Sequence, residues 1–164
     1  MNSSNAERER KFLAFFSYAR TNSEFALKLA RDLKAAGASV WLDQLDIPPG
    51  QRWDRAVEDA LGHCEQVLVV LSPTAVDSTN VMDEVSYALE EGKEVIPILH
   101  IQCVVPFRLR RLQYVDFRRD YREGLETLLK TLPSDSTVRF IPRAGGERIE
   151  VRGGLAPQAR QILK

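Results

Sequence analysis

Chemistry in this chain centres on one acidic side chain, Glu84, at the end of the stretch VLVVLSPTAVDSTNVMDE spanning 67–84. Val67 to Leu71 form an unbroken apolar run, as expected of a strand buried on both faces. Ser72 and Pro73 stop it, and a polar loop leads to Asn80, which reads as a helix N-cap. Val81, Val85, Ala88 and Leu89 then recur at helical spacing. Glu84 lies beside that stripe, one turn from both Val81 and Ala88. It therefore occupies a helix flank facing the carboxyl end of a buried strand, where open parallel α/β sheets bind ligands. A carboxylate held there against apolar neighbours is the best candidate for chemistry in this sequence. The ordinary alternative is a first-turn glutamate that complements the helix dipole.

Other reactive residue types are scattered. His63 and His100 are isolated, with no nearby Ser or Cys triad partner, and read as structural. Asp43 and Asp46 flank a proline loop and make a weak metal site, so no metal is expected. Cys64 and Cys103 are far apart and lack metal-ligand spacing, which suits two reduced thiols in a cytosolic protein. There is no GxGxxG and no GxxxxGK[ST], so neither a Rossmann nor a P-loop cradle would hold a nucleotide. Arg108, Arg110, Arg111, Arg118, Arg119 and Arg122 form the one basic concentration, read as a solvated face pairing with nearby acids.

The elements that must position Glu84 follow from periodicity. KFLAFFS (11–17) is a short apolar strand. Phe25, Ala26, Leu29, Ala30 and Leu33 share a helical face that Gly37 ends as a C′ residue. SVWL (39–42) is a second strand. DQLDIPPG (43–50) reads as a loop, because Pro48, Pro49 and Gly50 rule out a regular element. Trp53, Val57, Ala60 and Leu61 mark a second helix, with Trp53 expected to pack it against the sheet and, as the lesser alternative, to reach the pocket. After the central strand and helix come EVIPIL (94–99), a short helical stretch FRLRRL opened by Pro106, the strand YVDF (114–117) and a helix carrying Leu125, Leu128, Leu129 and Leu132. Pro97 favours a strand end, an edge or a bulge, since it removes a ladder donor. Strands alternating with helices point to a parallel sheet covered on both faces.

Composition sets the class. The 164 residues are 44% hydrophobic and 28% charged, and Lys plus Arg equals Asp plus Glu at 23 each. That is ordinary for one globular domain, and no global charge favours nucleic acid or a membrane surface. No apolar run approaches a membrane span, and no signal peptide is read, so the expected location is the cytoplasm. Residues 1–10 are a polar segment and 11–132 the domain. Residues 133–164 read as an appendage, a β-hairpin around Ala144-Gly145-Gly146 or a linker to a further domain.

In this order the pieces FFSYAR (15–20), VWLD (40–43), DIPPGQRW (46–53), VLVVLSPTAV, the DEVSYAL helix, VIPIL and FRLRRLQYVDF (107–117) resemble a TIR (Toll/interleukin-1 receptor) domain of the bacterial type, over about residues 10 to 132. The resemblance implies a flavodoxin-like five-stranded parallel sheet in the order 2-1-3-4-5. It also implies cleavage of NAD+ at the nicotinamide–ribose bond by one glutamate, here Glu84, with NAD+ as substrate and no separate cofactor. Such cleavage passes through an oxocarbenium-like centre, and the cationic nicotinamide leaves without a general acid. By the same resemblance Ser17, Tyr18, Arg20, Asp43, Arg52, Ser72 and Asn80 would contact substrate, with Arg20 and Arg52 meeting the pyrophosphate. Asp46, Ile47, Pro48, Pro49 and Gly50 would form the loop through which one TIR domain assembles on another, as in effectors of bacterial immunity.

One departure stands out. Many active members carry tryptophan four residues before the glutamate, where this chain has Asn80. That bears on base stacking and on any cyclised ADP-ribose product. It also keeps two rival readings open: a docking module without turnover, and a receiver that binds ADP-ribose derivatives without cleaving them.

Overall fold

The computed structural model describes residues 14–47 and 49–132, together with the backbone of 139–142 and 148–151. Five strands form one sheet in the order β2-β1-β3-β4-β5, and every neighbouring pair is parallel. They are β1 (Ala14–Ser17), β2 (Val40–Trp41), β3 (Gln66–Leu71), β4 (Glu94–Leu99) and β5 (Val115–Asp116). Parallel neighbours need crossovers, and helices supply three of the four, α1 (Ser23–Ala35), α3 (Trp53–His63) and α5 (Thr79–Glu90), while α6 (Tyr121–Thr131) follows the last strand and packs back on the sheet. Two single turns, α2 (Asp43–Asp46) and α4 (Pro73–Val76), lie between them. The order is the flavodoxin-like one that the resemblance implies.

Strand alternation explains how the sheet is covered on both faces. Phe16, Leu68, Val70, Ile96 and Ile98 pack with Leu29 and Leu33 of α1 and with Leu125, Leu128 and Leu129 of α6. Their chain neighbours Phe15, Val67, Val69, Val95 and Leu99 point the other way, onto Ala60 and Leu61 of α3 and Val81, Val85 and Ala88 of α5. Each fully buried Leu contributes about 1.5–3 kcal/mol, so the two layers outweigh any single polar contact. Gly124 in α6 has a packing reason: a Cβ there would come within 2.7 Å of the Phe117 ring.

The α1 terminus is a Schellman motif. Gly37, at φ 93°, donates to Lys34 O at 3.0 Å, and Ala38 donates to Leu33 O at 2.9 Å. Pro97 lies inside β4, opposite Val69, rather than at a strand end. Leu99 O accepts from Phe117 N, so odd-numbered residues of β4 turn toward β5. Pairing with β5 begins at Ile98, and the proline therefore places its missing donor where no β5 ladder runs.

Two local expectations are corrected. The stretch 43–50 is not loop throughout, because Asp43–Asp46 makes one helical turn. Its carboxylates drive that: Asp46 accepts from Leu42 N at 2.8 Å and from Lys34 Nζ at 2.9 Å, while Asp43 accepts from Gln44 N. Asn80 is not the cap of α5. Ser78 takes that role, accepting from Val81 N at 3.3 Å, and α5 starts at Thr79. Residues 11–13 and Pro48 lie outside the described residues, as do residues 144–146, where the turn is expected. On either side of that turn, Arg139–Pro142 (β6) and Arg148–Val151 (β7) pair antiparallel. Among the described residues no helix is long and apolar enough to cross a membrane.

Candidate active site

The carboxyl ends of β1 and β2, the turn α2 and the amino ends of α3 and α5 surround a cavity of about 510 Å³. Its floor is Phe15 and Phe16 of β1. Tyr18 and Arg20 come from the loop after β1, Asp43 and Gln44 from α2, Trp53 and Val57 from α3. Ser78, Asn80, Val81 and Glu84 close it from the α5 side. Parallel strands aim their carboxyl ends, and the helices that follow aim their amino ends, at one crest. The cavity sits there for that reason.

Glu84 is half-buried, and its carboxyl is pushed up from 4.5 to about 7. Loss of hydration is the main cause, the nearby Ser17 hydroxyl works against it, and the negative charges of Asp43 and Asp83 add to it. A carboxyl tuned near neutrality can hold or release a proton at working pH. Tyr18 donates its hydroxyl to Asp43, and burial followed by that hydrogen bond raises the phenol well above its ordinary value. Arg20 is exposed at the rim, where its charge is free to meet an anion.

Of the residues expected from the sequence, Glu84, Tyr18, Arg20, Asp43 and Asn80 come together in this cavity. Three do not line it. Ser17 is fully buried beneath it, and its Oγ makes no hydrogen bond among the described residues. Ser72 is also fully buried. It donates to Asn22 Oδ1 at 2.5 Å and accepts from Ala75 N at 3.1 Å, capping α4 and fixing the loop after β1. Arg52 projects into solvent and pairs with Asp54 at 2.9 Å. The assembly-loop residues Pro49 and Gly50 are exposed, Ile47 and Asp46 half-buried, and Asp46 is held by Lys34. Asp43 and Asp46 thus serve different partners, and among the described residues no cluster of metal-ligating side chains forms.

For Trp53 the lesser of the two sequence readings holds, and Trp41 is an aromatic lining residue that the sequence did not single out. Trp53 does not pack α3 against the sheet; it is 48% exposed and lines the cavity beside Trp41. The available signal was position, since Trp53 is the first residue of a helix whose amino end faces the crest.

The TIR-domain family model matches residues 14–129. The chain belongs to the TIR domain family. This TIR domain is 33% identical over 130 residues to the uncharacterised protein y4cD of Sinorhizobium fredii (strain NBRC 101917 / NGR234), covering 73% of this chain and 20% of that protein. It is 39% identical over 59 residues to the NAD(+) hydrolase PdTIR of Paracoccus denitrificans (strain Pd 1222), covering 35% of this chain and 20% of that one. The chain therefore spans about a fifth of the length of these relatives. Its fold is similar to that of the TIR domain of the Toll-related receptor TRR-2 from Hydra magnipapillata, with a TM-score of 0.62, 25% identity and coverage of 72% of this chain and 94% of that one.

Proposed function

We propose that this TIR domain is an NAD+ nucleosidase that cleaves the nicotinamide–ribose bond, with Glu84 as its catalytic carboxylate. The observation that carries the reading is Glu84 itself, half-buried at a cavity on the sheet's carboxyl crest and tuned to about 7. Similarity to a protein named as an NAD(+) hydrolase supports it.

In the reaction the glycosidic bond breaks with its electron pair passing to the nicotinamide nitrogen, which loses its positive charge. Positive charge develops on the ribose, and the Glu84 carboxylate stabilises it. Water adds to the ribose carbon and gives up a proton, yielding ADP-ribose. Arg20 meets the pyrophosphate at the rim, and Asp43 and Asn80 meet ribose hydroxyls. The loop 46–50 brings copies of the domain together, and the role is that of an effector domain in a bacterial immune protein.

The test is nicotinamide release from NAD+, followed by chromatography, at high protein concentration with a clustering agent. Wild type is expected to release nicotinamide and Glu84→Gln to release none. If both stay folded and self-associate while NAD+ remains intact, the domain is a docking module instead.

A further inference from the structure

Five aromatic side chains line the cavity, and four of them are already committed. Phe15 and Phe16 are each 2% exposed and belong to the two core layers. Trp41 stacks on Phe15, with ring centroids 5.2 Å apart and planes 10° from parallel. Tyr18 spends its hydroxyl on Asp43 and packs against the core. Trp53 differs: no ring among the described residues stacks on it, and nearly half of its surface is in water.

A large indole left open to solvent loses the burial that usually places such rings in cores. Its backbone is anchored, because Trp53 opens α3, whose Ala56, Ala60 and Leu61 are buried. On the α5 side the cavity is lined by Ser78 and Asn80, which offer hydrogen bonds and no stacking face. We infer that Trp53 is the platform on which a planar heteroaromatic base stacks when a nucleotide fills this cavity, taking the place of an aromatic at position 80. Both nicotinamide and adenine present such a plane, so either end of a dinucleotide meets the same chemistry. The inference rests on the nucleotide reading of the cavity but not on turnover.

The experiment uses the full chain carrying Trp41→Phe, which leaves Trp53 as the sole tryptophan. Nicotinamide and ADP-ribose, neither of which contains the scissile bond, are titrated separately while indole fluorescence is followed. Binding is measured in parallel by calorimetry on wild type, Trp53→Ala and Trp53→Phe. One probe is expected to quench Trp53, and its affinity to fall roughly 5- to 150-fold in Trp53→Ala, the range of base–aromatic stacking. Trp53→Phe should keep most of that affinity. The probe that quenches identifies the base. Absence of quenching by both probes overturns the inference, as does a folded Trp53→Ala that binds both like wild type. Loss of affinity that phenylalanine does not restore overturns it too, because a stacking face would have been kept. Quenching without nicotinamide release from NAD+ would leave the platform standing and remove the nucleosidase.

Discussion

The Tyr18 hydroxyl donates to the Asp43 carboxylate, joining the loop after β1 to the turn after β2 at the rim of the Glu84 cavity. Neither residue is near the other in sequence, yet the parallel pairing of β1 with β2 delivers both loops to one crest. The bond also fixes where Asp43 places its negative charge, which helps keep Glu84 protonated. Tyr18→Phe keeps the ring in the core and removes the donor. Stability should fall by about 1.5–3 kcal/mol in urea unfolding, as for other hydrogen bonds to a charged group. Nicotinamide release should fall several-fold in kcat/KM, because Asp43, proposed to meet a ribose hydroxyl, loses the donor that positions it. Unchanged stability would show that Asp43 has no need of the phenol.

Glu84 gives a pH signature with a definite sign. Its carboxyl is raised from 4.5 to about 7, chiefly by burial, so the folded state binds more protons than the unfolded chain between those values. Its contribution to stability is fully present below the unfolded value and is lost as pH rises through about 7. Compared with Glu84→Gln, wild type should therefore lose stability from about pH 5 to about pH 8. If the carboxylate form stabilises the ribosyl cation, nicotinamide release should rise over the same range, with a midpoint near 7. A constant stability difference between the two proteins across this range would contradict the assignment.

Ser72 separates a scaffold role from a binding role. Its hydroxyl is buried between Asn22 and Ala75 N, so Ser72→Ala leaves the Asn22 carbonyl oxygen without that donor. The expected cost is about 1–3 kcal/mol in thermal or urea unfolding. KM for NAD+ should change little, since Ser72 does not line the cavity and its loss falls on the α4 cap and the Asn22 contact. A raised KM with unchanged stability would return Ser72 to the binding site.

Much of this arrangement was legible in the chain. Runs such as Val67–Leu71 specify a strand buried on both sides, and the spacing of Val81, Val85 and Ala88 aims Glu84 at the crest. Pattern alone allows several strand orders, and the order came from seven short motifs read together. What escaped were facts decided by tertiary partners. Ser78 outcompeted Asn80 as a cap because both residues suit the position, and only the geometry of the α4–α5 turn distinguishes them. Asp46 turned an apparent loop into a helical turn by finding Lys34 twelve residues earlier. Trp53 read chiefly as core because large aromatics usually are, and its place at the first turn of α3 was the one local sign that it could reach the cavity instead.

The loop proposed for assembly can be tested apart from the cavity. Gly50 has φ 85°, a left-handed conformation that a side chain disfavours, although no atom of the described residues lies within 4 Å of where its Cβ would be. Gly50→Ala therefore carries a backbone cost of about 1–2 kcal/mol without a clash. The loop can relieve that cost by shifting, since Pro49 to Arg52 are all exposed. Global stability should thus drop by less than the full backbone cost, while the shape presented to another copy changes. Light scattering at high concentration should show weakened self-association, and nicotinamide release should fall with it at every concentration. Affinity for ADP-ribose should be unchanged, because Gly50 is not among the cavity's lining residues. Association equal to wild type in a folded Gly50→Ala protein would move the assembly contact away from this loop.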